Sequence, residues 1–196
     1  MNAPAQIGRS THASSDAPTR YRLRIADYLM LQEHGSFRGQ ETELVDGRVY
    51  LMNPEWRPHL RVKSELAYLL RRAVEQAGFS YFVGTEGSIS LSETDMPRPD
   101  VLLTDQIAGD GAVPRESVPL LVEVSSTTLD DDLGEKALRY ALGGIPEYWV
   151  VDVNGRIVHR MWSPATEGYA RRDEIRLGGP IRSATIDALT VPTTSL

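Results

Sequence analysis

The stretch from Pro119 to Lys136 constrains this chain more than any other, because it puts a charge inside what reads as a buried strand. Leu120-Leu121-Val122 is a short apolar run of the kind that forms a core strand. Glu123 interrupts it and Val124 resumes it. A carboxylate in such a run is costly to bury unless it is paired, hydrogen-bonded or bound to a metal. Polar residues follow, and then the pattern predicts a helix from about Asp130 to Leu142 that carries Lys136. Its acidic first turn suits the helix dipole. Any fold of this chain has to satisfy Glu123, so the rest of the sequence is read for its partners.

The length of 196 residues fits one domain, taken as residues 21–196. Residues 1–20 are rich in Ala, Ser, Thr and Pro without a hydrophobic period and read as a disordered tail. The absence of cysteine excludes disulfides, cysteine zinc sites and thiol nucleophiles, and it suits a cytoplasmic protein. No apolar run approaches the ~18 residues that a membrane span needs. The formal net charge of −6 is unlike that of a tight, constitutive nucleic-acid binder, which is usually basic. A nucleic-acid partner would have to be met by a local patch, or by a metal that offsets acids in the site.

The order of elements points to a mixed α/β fold. Arg24 to Glu33 reads as a short helix with Ile25, Tyr28, Leu29 and Leu31 as apolar positions. Thr42 to Val45 and Arg48 to Met52 read as strands joined by Asp46-Gly47, a hairpin signal. Val62, Leu66, Leu69, Leu70 and Val74 form one apolar stripe on a long helix that begins near Pro58 and ends at Gly78. Strands are expected over Ser80 to Val83, Ser88 to Leu91 and Val101 to Leu103, and again over Tyr148 to Val151. Asn154-Gly155 predicts a second tight hairpin, with Arg156 to Trp162 as its return strand. The expected architecture is one central sheet, largely antiparallel in its middle, with helices on its faces. Glu167 to Leu196 reads as short strands and loops in no definite order.

Asp100 sits at the mouth of the Val101 strand, and the loop after that strand leads into the strand of Glu123. If the strands pair, both carboxylates face one edge of the sheet. With water and a main-chain carbonyl, here that of Val124, they make the hard-oxygen environment of Mg²⁺ or Mn²⁺. Plainer readings stand beside this one. Asp100 also suits a turn after proline, and Glu123 also suits a buried ion pair. Lys136 lies one helical turn after Asp132 and one before Tyr140, and a helix lysine is ordinarily solvated. Arg61, Lys63, Arg71 and Arg72 form either a phosphate-facing strip or a solvated helix face, and the solvated face is favoured. Tyr148 and Trp149 read as core.

These residues, in order, resemble a known family. Arg98-Pro99-Asp100-Val101, then Pro119-Leu-Leu-Val-Glu123-Val-Ser-Ser126, then Asp132-Leu-Gly-Glu-Lys136, Tyr140, and Gly144-Ile-Pro-Glu-Tyr-Trp149-Val-Val-Asp152 are similar to the Uma2 family. Glu43-Leu-Val-Asp-Gly47 and Asn53-Pro54 followed by His59 resemble its N-terminal half. The family consists of endonuclease-like proteins of the PD-(D/E)XK superfamily, and the resemblance covers roughly residues 22 to 170. It implies the restriction-endonuclease-like fold, a central mixed sheet flanked by helices, with a divalent-metal site at one sheet edge. By that resemblance Asp100 and Glu123 hold the metal, Glu43 is a further acid, and His59 lies close by with phosphate contact or water positioning as its role. The plain readings of Glu43 and His59 are an edge-strand charge and a helix-start histidine.

One departure matters. The superfamily's lysine two residues after the glutamate is Ser125 here, and the resemblance assigns its role to Lys136 on the following helix. The implied function is Mg²⁺- or Mn²⁺-dependent hydrolysis of DNA phosphodiester bonds, with a homodimer expected if both strands are cut. The alternative is a non-catalytic binding or assembly module that keeps the nuclease fold.

Overall fold

The computed structural model describes residues 19–106 and 108–196. The expected N-terminal tail therefore lies, apart from its last two residues, outside the described residues.

The chain opens with helix α1 (Ile25–Glu33) and a hairpin of β1 (Thr42–Val45) and β2 (Arg48–Leu51). Of the apolar positions expected in α1, Tyr28 is buried and Leu29 is exposed. The hairpin turn is as expected: Asp46 and Gly47 both have positive φ, at 52° and 69°. A Cβ on Gly47 would lie 2.6 Å from the Cβ of Arg22, so glycine is required there twice over.

Helix α2 (Arg57–Gln76) follows, with Pro58 in its first turn. Its stripe buries Leu66, Leu69, Leu70, Ala73 and Val74. Burial of each leucine or valine side chain contributes about 1.5–3 kcal/mol. Lys63 is buried with them, which corrects the reading of Arg61, Lys63, Arg71 and Arg72 as one uniform strip. Arg61 and Arg72 are exposed, while Arg71 donates to the carbonyl of Val83.

The remaining strands are β3 (Phe82–Thr85), β4 (Ile89–Ser90), β5 (Val101–Thr104), β6 (Val113–Pro114) and β7 (Leu120–Ser125). A helical stretch leaves β7 as α3 (Leu129–Asp131), a π turn (Asp132–Lys136) and α4 (Ala137–Leu142). Strands β8 (Glu147–Asp152), β9 (Ile157–Ala165), β10 (Gly168–Arg176), β11 (Pro180–Arg182) and β12 (Thr190–Pro192) complete the chain.

The central sheet has the order β10-β9-β8-β7-β5-β3. Its middle pair, β7 and β8, is parallel, and its other pairs are antiparallel. The expected largely antiparallel middle holds for the pairs on either side and is corrected at β7–β8 alone. The parallel pair follows from the helical crossover between β7 and β8, since neighbouring parallel strands need such a connection.

The region after Glu167, which showed no order in sequence, supplies the nine-residue strand β10 and the β11–β12 pair. Asn154-Gly155 does not make a two-residue hairpin. Asp152 pairs with Ile157 across a longer loop, and the Asp152 carboxylate accepts the backbone N–H groups of Asn154 and Gly155 at 3.0 and 2.9 Å.

Alternation along the strands sorts the core into two layers. Val101, Leu103, Val122, Val124, Trp149 and Val151 face α2 and the C-terminal strands. Leu102, Leu121, Tyr148 and Val150 face α4, with Ala137 and Tyr140 packed on them. By this alternation Glu123 belongs to the α4 side, and that decides which helix can answer its charge.

Candidate functional site

In the antiparallel register of β5 and β7, Val101 opposes Val122. Asp100 therefore stands opposite Glu123 at the strand ends, and directly opposed residues share a face. The polar segment after Ser125 and the loop before α2 wall off a cavity of about 450 Å³ above them. Glu43, His59, Asp100, Glu123, Val124 and Lys136 all line it. The residues picked out by sequence thus meet in one place, joined by Glu55 and Asp132, which sequence reasoning did not choose as candidates.

Glu123 is buried and held from α4. Tyr140 donates its hydroxyl to Oε1 at 2.8 Å, and the Lys136 ammonium lies 3.4 Å from the same oxygen. Burial pushes the Glu123 carboxyl up to about 8, with Lys136 opposing the rise and the charges of Asp100 and Asp132 adding to it. Lys136 also reaches Asp132 Oδ1 at 2.8 Å. Burial works against the lysine's charge, but Glu123 and Asp132 outweigh it and keep the ammonium protonated. The π turn carries both Asp132 and Lys136. Such turns occur as single insertions in helices, often at functional sites.

Asp100 uses one oxygen for all its protein hydrogen bonds among the described residues. Its Oδ2 accepts the Val124 N–H at 2.7 Å and lies 3.1 Å from His59 Nε2. Burial alone would raise its pKa, but His59, the Val124 amide and the charge of Lys63 together hold it below the ordinary aspartate value. His59 is pushed up to about 9, first by its bond to Asp100 and against the effect of burial. Its Nδ1 lies 2.6 Å from Glu55 Oε1.

Glu55 Oε1 is also 2.5 Å from the Lys63 ammonium, which reaches Glu86 at 2.7 Å. His59 and Lys63 are four apart on the first turns of α2 and share a side, while Glu55 reaches them from the loop just before the N-cap Trp56. The helical spacing was a sequence signal for Lys63 and not for Glu55. Glu43 lines the cavity from β1, and its Oε2 accepts the Arg98 N–H at 3.3 Å.

The Uma2 family, described as "Putative restriction endonuclease", matches residues 25–190. This chain belongs to the Uma2 family. Among solved structures, this Uma2 chain is similar to a "putative nuclease belonging to DUF820" from Anabaena variabilis ATCC 29413. The TM-score is 0.64 at 12% identity, over 88% of this chain and 96% of that one. At that identity the likeness speaks for the fold, which is restriction-endonuclease-like with a central mixed sheet. No curated protein matches the Uma2 chain.

The donors present fit a divalent ion. Glu123 receives both Tyr140 and Lys136 on Oε1, and Asp100 receives its partners on Oδ2. Oε2 and Oδ1 are left without a protein hydrogen bond among the described residues, and Val124 lies on the same wall. Hard oxygen donors of this kind suit Mg²⁺ and Mn²⁺. Separately, one ligand atom from each of Glu55, His59 and Asp100 lies within 4.8 Å of the others. Among the described residues no helix is long and apolar enough to cross a membrane.

Proposed function

We propose that this Uma2 protein is a divalent-metal-dependent endonuclease that hydrolyses DNA phosphodiester bonds. Asp100, Glu123 and the Val124 carbonyl would hold Mg²⁺ or Mn²⁺. The ion would polarise a phosphoryl oxygen and acidify a bound water. Lys136 presents a fixed ammonium to the charge that builds on the pentacoordinate phosphorus in the transition state. Tyr140 and Asp132 keep Glu123 and Lys136 from moving apart. Glu43 adds negative charge to the same cavity, and the sheet strands keep the acids from spreading when phosphate arrives.

The observation that carries this reading is the 3.4 Å approach of the Lys136 ammonium to Glu123 Oε1. It supplies, from a helix, the cation that Ser125 cannot provide. The same ammonium and the carboxylates of Glu123 and Asp132 line one cavity, which a purely structural ion pair does not require. A cytoplasmic location accords with the absence of cysteine, and nucleic acid accords with the family description.

The test is cleavage of plasmid and linear DNA by purified protein with Mg²⁺, Mn²⁺ or neither. Metal-dependent nicking that is lost in Asp100→Asn and in Glu123→Gln is the expected result. Cleavage that survives both substitutions, or none with any metal, overturns it.

A further inference from the structure

The metal reading above leaves His59 without a role, and its surroundings are unusual for a bystander. Nε2 faces the Oδ2 of Asp100 at 3.1 Å, while Nδ1 faces Glu55 Oε1 at 2.6 Å. Two cis donors on an octahedral ion, with bonds of about 2.1 Å, sit about 3.0 Å apart. The Nε2 to Oδ2 distance of 3.1 Å is that of a hydrogen bond, and it also puts the ring nitrogen within donor spacing of the Asp100 carboxylate.

The other side of the ring has the matching feature. A metal-ligating histidine typically donates its second N–H to a carboxylate or carbonyl, which fixes the tautomer and the ring plane. Glu55 is placed for this, and it does not depend on an ion for its own charge balance. The buried ammonium of Lys63 sits 2.5 Å from the same oxygen. Lys63 is in turn fixed by Glu86 at 2.7 Å. His59 is thus braced from behind by a chain of charges rooted in the first turns of α2, with its Nε2 turned to the cavity that Asp100 lines.

We propose that His59 is a metal ligand: Nε2 of His59 joins the Asp100 carboxylate as a donor to one divalent ion, and Glu55 orients the ring. Binding of the ion would displace the Nε2 proton to solvent. This rests on the metal reading but goes beyond it, because an imidazole donor changes which ion is preferred. Carboxylate, carbonyl and water suit Mg²⁺, Ca²⁺ and Mn²⁺, whereas imidazole suits the later first-row transition metals. A mixed oxygen and imidazole set therefore favours Mn²⁺ over Mg²⁺. Lys63 and Glu55 are positioning residues in this scheme, acting through the ring.

Pulsed electron paramagnetic resonance of Mn²⁺ bound to the full-length protein tests it directly. Imidazole ligation gives modulation from a directly bound ¹⁴N nucleus. We expect that modulation in the unmodified protein and its loss in His59→Gln, with Mn²⁺ affinity falling about tenfold or more. Glu55→Gln should keep the modulation while weakening Mn²⁺ binding by roughly 10–100-fold, as loss of an orienting partner does. Circular dichroism of each variant confirms that the ion is offered to a folded chain. Mn²⁺ bound in an Asp100-dependent manner without nitrogen modulation would overturn this proposal and leave the metal reading standing. Modulation that persists in His59→Gln would do the same. No Mn²⁺ binding by the unmodified protein would overturn both.

Discussion

Lys136 holds its ammonium 3.4 Å from Glu123 Oε1, across a contact between the helix that leaves β7 and the strand itself. The same ammonium is 2.8 Å from Asp132 Oδ1, so one cation answers two buried acids. Removing one partner of a buried ion pair costs about 3–5 kcal/mol, because the remaining charge is left uncompensated. Lys136→Met should therefore lower stability by an amount near the bottom of that range, since the lysine is partly exposed. Glu123 can escape the penalty by taking up a proton, so the loss should be smaller at pH 5.5 than at pH 8. Urea denaturation at both values measures it. An equal loss at the two pH values would refute the coupling. Cleavage should be abolished in this variant while Mn²⁺ still binds.

The His59 to Asp100 contact sets a pH dependence for the metal-free protein. His59 is raised to about 9 by its bond to Asp100, from an unfolded value near 6.5. A raised folded pKa means the contribution is complete below the unfolded value and is lost as pH climbs through the folded one. The metal-free protein should lose stability between about pH 6.5 and 9, by up to ~3 kcal/mol at 1.36 kcal/mol per pKa unit. His59→Gln should flatten that slope. Thermal melts in chelator across this window decide the matter, and an unchanged slope in the variant would count against it.

Glu123 should show the usual conflict between a site and its scaffold. Burial raises its carboxyl to about 8, so ionising it in the metal-free fold is unfavourable above the ordinary glutamate range. By the same linkage, that penalty grows as pH rises from about 4.5 through 8. Glu123→Gln keeps the shape and removes the charge. It should leave the metal-free protein as stable as before or more so at pH 8, while Mn²⁺ affinity falls. Calorimetric titration and melting of one sample read both quantities.

Much of this site was legible in the sequence because its signals are local. A carboxylate inside an apolar run marks Glu123, and the strand start after proline marks Asp100. Lys136 is singled out by the family resemblance, because a helix lysine taken alone reads as solvated. Other features depend on how elements meet. Lys63 reads as one of several surface cations until α2 packs on the sheet and turns it toward Glu55 and Glu86. Asp132 reads as part of an acidic first turn until the π turn buries it. The parallel pairing of β7 with β8 is invisible in strands that are continuously apolar, since such strands carry no face-specific alternation. The β9–β10 hairpin was missed on its second strand, where exposed Arg171 and Arg172 hide the pattern.

Glu147 offers a way to separate fold stability from the site. It is fully buried at the start of β8 and accepts from Trp149 Nε1 at 2.6 Å and from Ser183 Oγ at 2.6 Å. It also accepts the backbone N–H groups of Ala184 and Thr185, and the Thr185 hydroxyl at 2.8 Å. One carboxylate thus clamps the segment between β11 and β12 onto the sheet. Glu147→Leu would leave those donors buried without an acceptor, at about 1–3 kcal/mol each where water cannot reach. Stability should fall by several kcal/mol, and Glu147→Gln should fall less, because its amide oxygen still accepts. Glu147 lies at the other end of β8 from Asp152, away from the cavity of Asp100 and Glu123. In the surviving folded fraction, Mn²⁺ affinity should match that of the unmodified protein. A Glu147→Gln variant with full stability but impaired metal binding would show that the clamp and the site are not independent.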